Sequence, residues 1–140
     1  MQFSSIFSVA ALAAIATASP IFKVITIRSG SQFQYQNIIQ KDGQLYVSAQ
    51  DSPVTLILDT SDGTLSDSTT RQYIQVHDTL FYETSRKDAT KGFAIKDGYL
   101  TLNDEAFYAC GAGHDEYKLT TACSTDEPLA LKVVDQADTN

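Results

Sequence analysis

From Phe22 onward, apolar and polar side chains alternate in runs too short for helices, and the breaks between runs fall about ten residues apart. The runs are Phe22 with Val24–Ile27, Phe33–Gln36, Leu45–Val47, Val54–Leu58, Tyr73–Val76, Leu80–Tyr82, Phe93–Ile95, Tyr99–Leu102, Phe107–Tyr108, Tyr117–Leu119 and Leu129–Val134. Each is rich in β-branched or aromatic residues, which suit a pleated, half-buried surface. No window of a dozen residues carries a 3.6-residue apolar period, so helix is expected to be scarce.

Turn chemistry points the same way. Asp-Gly occurs three times ahead of a leucine, in Asp42-Gly43-Gln44-Leu45, Asp62-Gly63-Thr64-Leu65 and Asp97-Gly98-Tyr99-Leu100. Glycine supplies the positive φ of a tight hairpin and aspartate tolerates the neighbouring position, so each pair predicts a corner followed by a strand with an inward leucine. Calcium binding is not the reading, because an EF-hand loop needs acids at alternate positions and a closing glutamate.

About eleven or twelve strands fit into the segment from Ser19 to Asn140. That number suits an all-β, trefoil-like closed barrel of three four-stranded lobes, with a β-sandwich as the alternative. The Asp-Gly pairs stand twenty and then thirty-five residues apart, so they show no even threefold repeat. The expectation is one domain spanning 19–140, with its core at about 22–134. Ser66–Thr70 and Ser85–Asp88 read as polar connecting loops, and the last six residues read as a frayed tail.

Residues 1–18 belong to a different kind of segment. Met1 to Ala18 carries no charged side chain, is apolar from Ile6 to Ile15, and ends in Ala16-Thr17-Ala18. This predicts a secretory signal peptide cleaved between Ala18 and Ser19, and hence an extracellular product. The apolar run is about half the ~20 residues a membrane-spanning helix needs, and the polar end Asp135–Asn140 offers no hydrophobic tail for a glycolipid anchor. No membrane anchor is expected.

Charge narrows the partners. Seventeen acidic residues against ten basic ones give a formal charge of −7. Such a chain has no basic patch with which to grip phosphates, which argues against nucleic acid and anionic membranes alike. The two cysteines, Cys110 and Cys123, would meet an oxidising environment on export, where one intrachain disulfide is the natural outcome. A free thiol pair or a bridge to another protein are the alternatives. Closure of that loop would contribute about 3 kcal/mol. Two Cys and two His are too few and too dispersed for a zinc site, and no cofactor is expected.

Residues able to do acid–base chemistry are few and lack motif context. His77 follows the alternating run Tyr73–Val76 and reads as a strand-end surface residue. His114 sits between the cysteines in Gly111-Ala112-Gly113-His114-Asp115-Glu116, a sequence without the third glycine or following helix of a dinucleotide fingerprint. Glycoside hydrolysis would need two carboxylates across a cleft, and Glu83, Glu105, Glu116 and Glu127 have no distinguishing context. The expectation is therefore a protein that is not an enzyme. Sugar binding through some of the seven Tyr and seven Phe is the alternative activity, although most of these aromatics alternate along strands and belong to the core.

Three pieces of the chain carry a family resemblance. Val24-Ile25-Thr26-Ile27-Arg28-Ser29-Gly30-Ser31-Gln32-Phe33-Gln34-Tyr35, followed by Asp42-Gly43-Gln44-Leu45, resembles the start of the globular domain of yeast cell-wall mannoproteins of the Cwp type. Ala89–Leu100 with Ala106–Cys110 resembles the same family, in which a Gly-Phe-x-Ile-x-Asp-Gly-x-Leu run leads to an aromatic pair. Phe107–Cys110 with Tyr117-Lys118-Leu119 and Cys123 is similar to the C-terminal domain of Pir-type wall mannoproteins. The resemblance implies a secreted, O-mannosylated structural component of the fungal wall whose partner is wall polysaccharide, β-glucan or mannan. The chain departs from it in carrying only two cysteines and no Ser/Thr-rich stalk.

Overall fold

The computed structural model describes residues 19–124 and 127–139, so the expected signal segment and Ala18 lie outside the described residues. Twelve strands are present among the described residues: β1 (Ser19–Ile27), β2 (Asn37–Lys41), β3 (Gln44–Ser48), β4 (Leu56–Asp59), β5 (Thr64–Asp67), β6 (Tyr73–His77), β7 (Leu80–Thr84), β8 (Phe93–Lys96), β9 (Tyr99–Leu102), β10 (Tyr108–Gly111), β11 (Tyr117–Thr120) and β12 (Ala130–Thr139). The only helical element among them is a single 3-10 turn at Arg86–Asp88.

Pairing is antiparallel throughout and divides the strands into two sets. In the first, β5, β4, β1, β12, β9 and β8 lie side by side in that order, and the two ends of the row meet where the Phe93 N–H donates to the Gly63 carbonyl at 2.9 Å. In the second, the hairpins β2–β3, β6–β7 and β10–β11 pair with one another through β3–β7, β7–β11 and β11–β3. Three four-stranded units thus contribute two strands each to a wall and one hairpin each to a cap. That is the trefoil-like arrangement, and the continuous twelve-stranded sheet is not a sandwich.

Alternation explains the interior. Phe22, Val24 and Thr26 of β1 point inward while their neighbours are half-exposed. Leu45, Leu65 and Leu100, the leucines that follow the three Asp-Gly pairs, are all buried, as their pattern predicts. They join Phe22, Leu56, Ile74, Phe81, Leu119 and Leu131 in one apolar cluster. Each such side chain contributes about 1.5–3 kcal/mol relative to exposure.

The turns are more varied than their spelling. Asp42-Gly43 (φ 53° and 78°) and Asp97-Gly98 (53° and 85°) are two-residue turns with both central residues left-handed, which matches the twist of the flanking strands. Asp62-Gly63 instead closes a longer link in which the Gly63 N–H donates to Asp59 O at 2.8 Å. Here glycine is required twice over, since its φ is +74° and a Cβ would lie 2.8 Å from the Gly92 nitrogen. The β6–β7 tip, Asp78-Thr79, has the left-handed pair without any glycine (φ 50° and 68°).

Three expectations are corrected. The run Phe33–Gln36 is a turn, and the strand begins one residue later as β2. The cause is Thr26, fully buried in β1: its N–H donates to Gln36 O, its carbonyl accepts from the Tyr35 N–H, and its hydroxyl donates to Phe33 O and accepts from the Gln36 N–H. The loop closes on that one residue, and Tyr35 takes φ 61°. Ser66 and Asp67 are not loop but the end of β5, with Asp67 buried. The polar tail is also not frayed. It continues β12 past a bulge at Asp135 (φ 53°), and Ala137, Asp138 and Thr139 pair with Ile21, Pro20 and Ser19.

Candidate functional site

A groove of about 560 Å³ lies between two cap hairpins. One side is the outer face of β2–β3. Because the tight Asp42-Gly43 turn sets the register, Lys41 faces Gln44 and Ile39 faces Tyr46, which places Ile39, Lys41 and Tyr46 on the same surface. The consecutive burial of Ile38 and Ile39 follows: the first enters the core and the second floors the groove. The opposite side is the β10–β11 tip, His114 to Tyr117, whose ladder is extended by the Ala112 N–H donating to Glu116 O at 2.8 Å. The Thr26-bound loop supplies the third side through Gln32, Phe33 and Gln36.

Aromatic rings and a closed ion pair fix this geometry. Phe33 stands edge-on to Tyr117 with centroids 4.8 Å apart, and the Arg28 guanidinium lies 5.9 Å from the Phe33 ring centre. Lys41 Nζ is hydrogen-bonded to Glu116 Oε2, joining the two hairpins, and lies 5.7 Å from the Tyr46 ring centre. The hydrogen bond to Glu116 raises the Lys41 pKa above its ordinary value. Tyr35, between the lining residues Phe33 and Gln36, is 68% exposed, the one large hydrophobic side chain so exposed among the described residues.

The residues singled out from the sequence are dispersed by the fold. Cys110, one pair from the tip of the β10–β11 hairpin, is bonded to Cys123 after β11, with Cα atoms 5.8 Å apart, so the disulfide ties the segment that leaves β11 back onto the hairpin that forms the groove's opposite side. Ser19 opens β1, paired with Thr139. His77 ends β6 on the surface, 3.4 Å from Asp78. His114 is at the β10–β11 tip, in the groove. Of the four glutamates, Glu116 lines the groove and is paired with Lys41, while the others lie outside it: Glu127 is 3.7 Å from Arg28, the Glu105 N–H donates to Leu102 O in a turn, and Glu83 accepts from the Thr70 hydroxyl at 2.9 Å. Among the described residues no three His, Cys, Asp or Glu side chains gather as a metal site.

One acidic pair was not anticipated. Glu83 Oε2 is buried with no hydrogen-bond partner among the described residues, and burial, followed by the neighbouring Asp67 carboxylate, pushes the Glu83 pKa up to about 7. Reading Ser66–Thr70 as loop concealed Asp67. The groove was concealed because its sides come from segments some seventy residues apart; its one local trace is the Ile38-Ile39 doublet, which breaks strict alternation.

Residues 24–135, from β1 into β12, match the PGA60 trefoil-like domain family. The chain belongs to that family. The match takes in all three units of the trefoil-like domain, the groove and both cysteines. Over 117 residues the domain is also 36% identical to Cell wall protein CWP1 of Saccharomyces cerevisiae, an alignment covering 81% of this chain and 48% of that protein. The chain thus spans about half the length of the curated relative it matches. No solved structure matches it. A likeness to a yeast cell wall protein agrees with the resemblance carried by Val24–Tyr35 and Ala89–Leu100.

Proposed function

We propose that this trefoil-like domain is a structural component of the fungal cell wall, exported after cleavage between Ala18 and Ser19 and held in the wall matrix through polysaccharide, β-glucan or mannan. The observation that carries the reading is the 36% identity to a cell wall protein across four-fifths of the chain. The reading is non-enzymatic, and the placement of Glu83, Glu105, Glu116 and Glu127 in separate parts of the fold supports that, since glycoside hydrolysis needs two carboxylates facing across one cleft. A twelve-stranded fold with a buried apolar cluster and a Cys110–Cys123 tie suits an oxidising exterior.

The test is fractionation of cells expressing the full chain with a C-terminal tag, followed by N-terminal sequencing of the wall-associated product. The expected result is tagged protein in the wall fraction beginning at Ser19. Recovery from cytosol alone with Met1 retained would overturn the proposal.

A further inference from the structure

We infer that the groove between the β2–β3 and β10–β11 hairpins is a binding site for a neutral, β-linked glucan segment; the inference rests on the wall assignment proposed above and names the surface that makes the contact. Its volume, about 560 Å³, lies within the ~300–1,000 Å³ range of small-ligand sites.

The lining determines the class of ligand. Gln32, Gln36 and Gln50 line the groove, and no described residue hydrogen-bonds to their side-chain amides. Each amide offers both donors and an acceptor, which matches sugar hydroxyls, themselves donors and acceptors. Tyr46 and Tyr117 share the lining with these amides, and Tyr117 is braced by Phe33 at 4.8 Å, so a ring packed on it meets a preorganised surface. A lining that combines aromatic rings with neutral amides is the complement of a pyranose, which has C–H faces and a hydroxyl rim.

Charge removes the ionic alternatives. The one lysine in the lining, Lys41, is already paired with Glu116, while Asp115 adds a carboxylate and the chain as a whole carries −7. An anionic sugar would meet repulsion with no free lysine or arginine in the lining to offset it. Between neutral hexose polymers, β-linked glucose holds its hydroxyls equatorial and presents flat C–H faces to an aromatic ring. Mannose sets its 2-hydroxyl axial and interrupts one of those faces.

The β6–β7 hairpin supplies an internal control. Tyr82 faces Gln75 as Tyr46 faces Ile39, in the same register, yet it is absent from the groove. Purified exported protein would be titrated with laminarihexaose and with mannohexaose, followed by amide chemical shifts and calorimetry. Wild type is expected to bind laminarihexaose saturably, with the largest shifts at residues 32–50 and 114–117. Tyr46→Ala and, separately, the surface change Gln50→Ala should each weaken it, Tyr46→Ala by about tenfold, while Tyr82→Ala leaves it unchanged. Native-like spectra of the three variants are read in the same samples. Absence of saturable glucan binding, mannohexaose binding as tight as laminarihexaose, or equal loss from Tyr82→Ala and Tyr46→Ala would each overturn the inference. A protein that fractionates with the wall but fails this titration refutes the groove alone; one that never reaches the wall refutes the wall assignment.

Discussion

The β2–β3 and β6–β7 hairpins have the same register thirty-six residues apart. Ile38 pairs with Val47 as Ile74 pairs with Glu83, Gln40 with Leu45 as Val76 with Phe81, and Lys41 with Gln44 as His77 with Leu80. Their side chains differ at nearly every outward position and at three of the four inward ones, Gln40 against Val76, Leu45 against Phe81 and Val47 against Glu83. The shared backbone therefore comes from the two features they have in common, a two-residue turn with both φ angles positive and an isoleucine buried at the same register. What differs is what each hairpin presents. The first offers Ile39, Tyr46 and Lys41 to a groove; the second offers Gln75, Tyr82 and His77, and places an acid where the first has valine.

The common part should respond most strongly. Ile38→Ala and Ile74→Ala, at positions 1% and 0% exposed, should each cost ~2–5 kcal/mol in urea unfolding. Similar losses would sharpen the equivalence, and a surface-like loss at either site would break it.

The inward exchange of Val47 for Glu83 should appear as a pH dependence. Because the folded Glu83 pKa, about 7, lies above its ordinary value of 4.5, the neutral acid is the form the fold accepts. Its contribution is fully present below pH ~4.5 and is lost as pH rises through about 7. Thermal midpoints should fall across that window in wild type, and Glu83→Gln should flatten the fall and exceed wild type above it. An unchanged slope in the variant would contradict the assignment.

The tips should give the smallest effect. A β-branched residue in the left-handed region costs about 1–2 kcal/mol, offset in part by glycine's greater freedom when unfolded. Thr79→Gly should therefore stabilise the protein by about 1 kcal/mol, and Gly43→Thr should destabilise it by a similar amount. Chemical unfolding of the two variants checks both signs.

These hairpins also show why the strands were legible and the repeat was not. Alternation exposes Leu45, Leu65 and Leu100 as inward residues because a half-buried strand has a period of two whatever lies around it. The threefold repeat is hidden because Asp-Gly does two jobs. Asp42-Gly43 is a cap tip, Asp97-Gly98 and Asp62-Gly63 join wall strands, and the second cap tip is spelled Asp78-Thr79. Counted by tip, Asp42, Asp78 and His114 are evenly spaced, each with φ near 50°. Phe33–Gln36 looked like strand because composition cannot reveal that one buried hydroxyl, that of Thr26, holds the loop shut. The tail looked frayed because its polar residues pair with backbone at Ser19–Ile21, a contact that needs no apolar pattern. The groove needed the fold itself, since only the cap brings Lys41 to Glu116.

The proposed role rests on the folded surface, and on no bond-breaking chemistry, as what this domain contributes to the wall. The most direct test incubates the purified exported protein with isolated yeast walls and measures, in one sample, the protein retained and the reducing sugar released. Retention that is lost on unfolding, with no sugar released above a heat-denatured control, is the predicted result. Sugar release above that control, or retention no greater than that of the denatured chain, would contradict it.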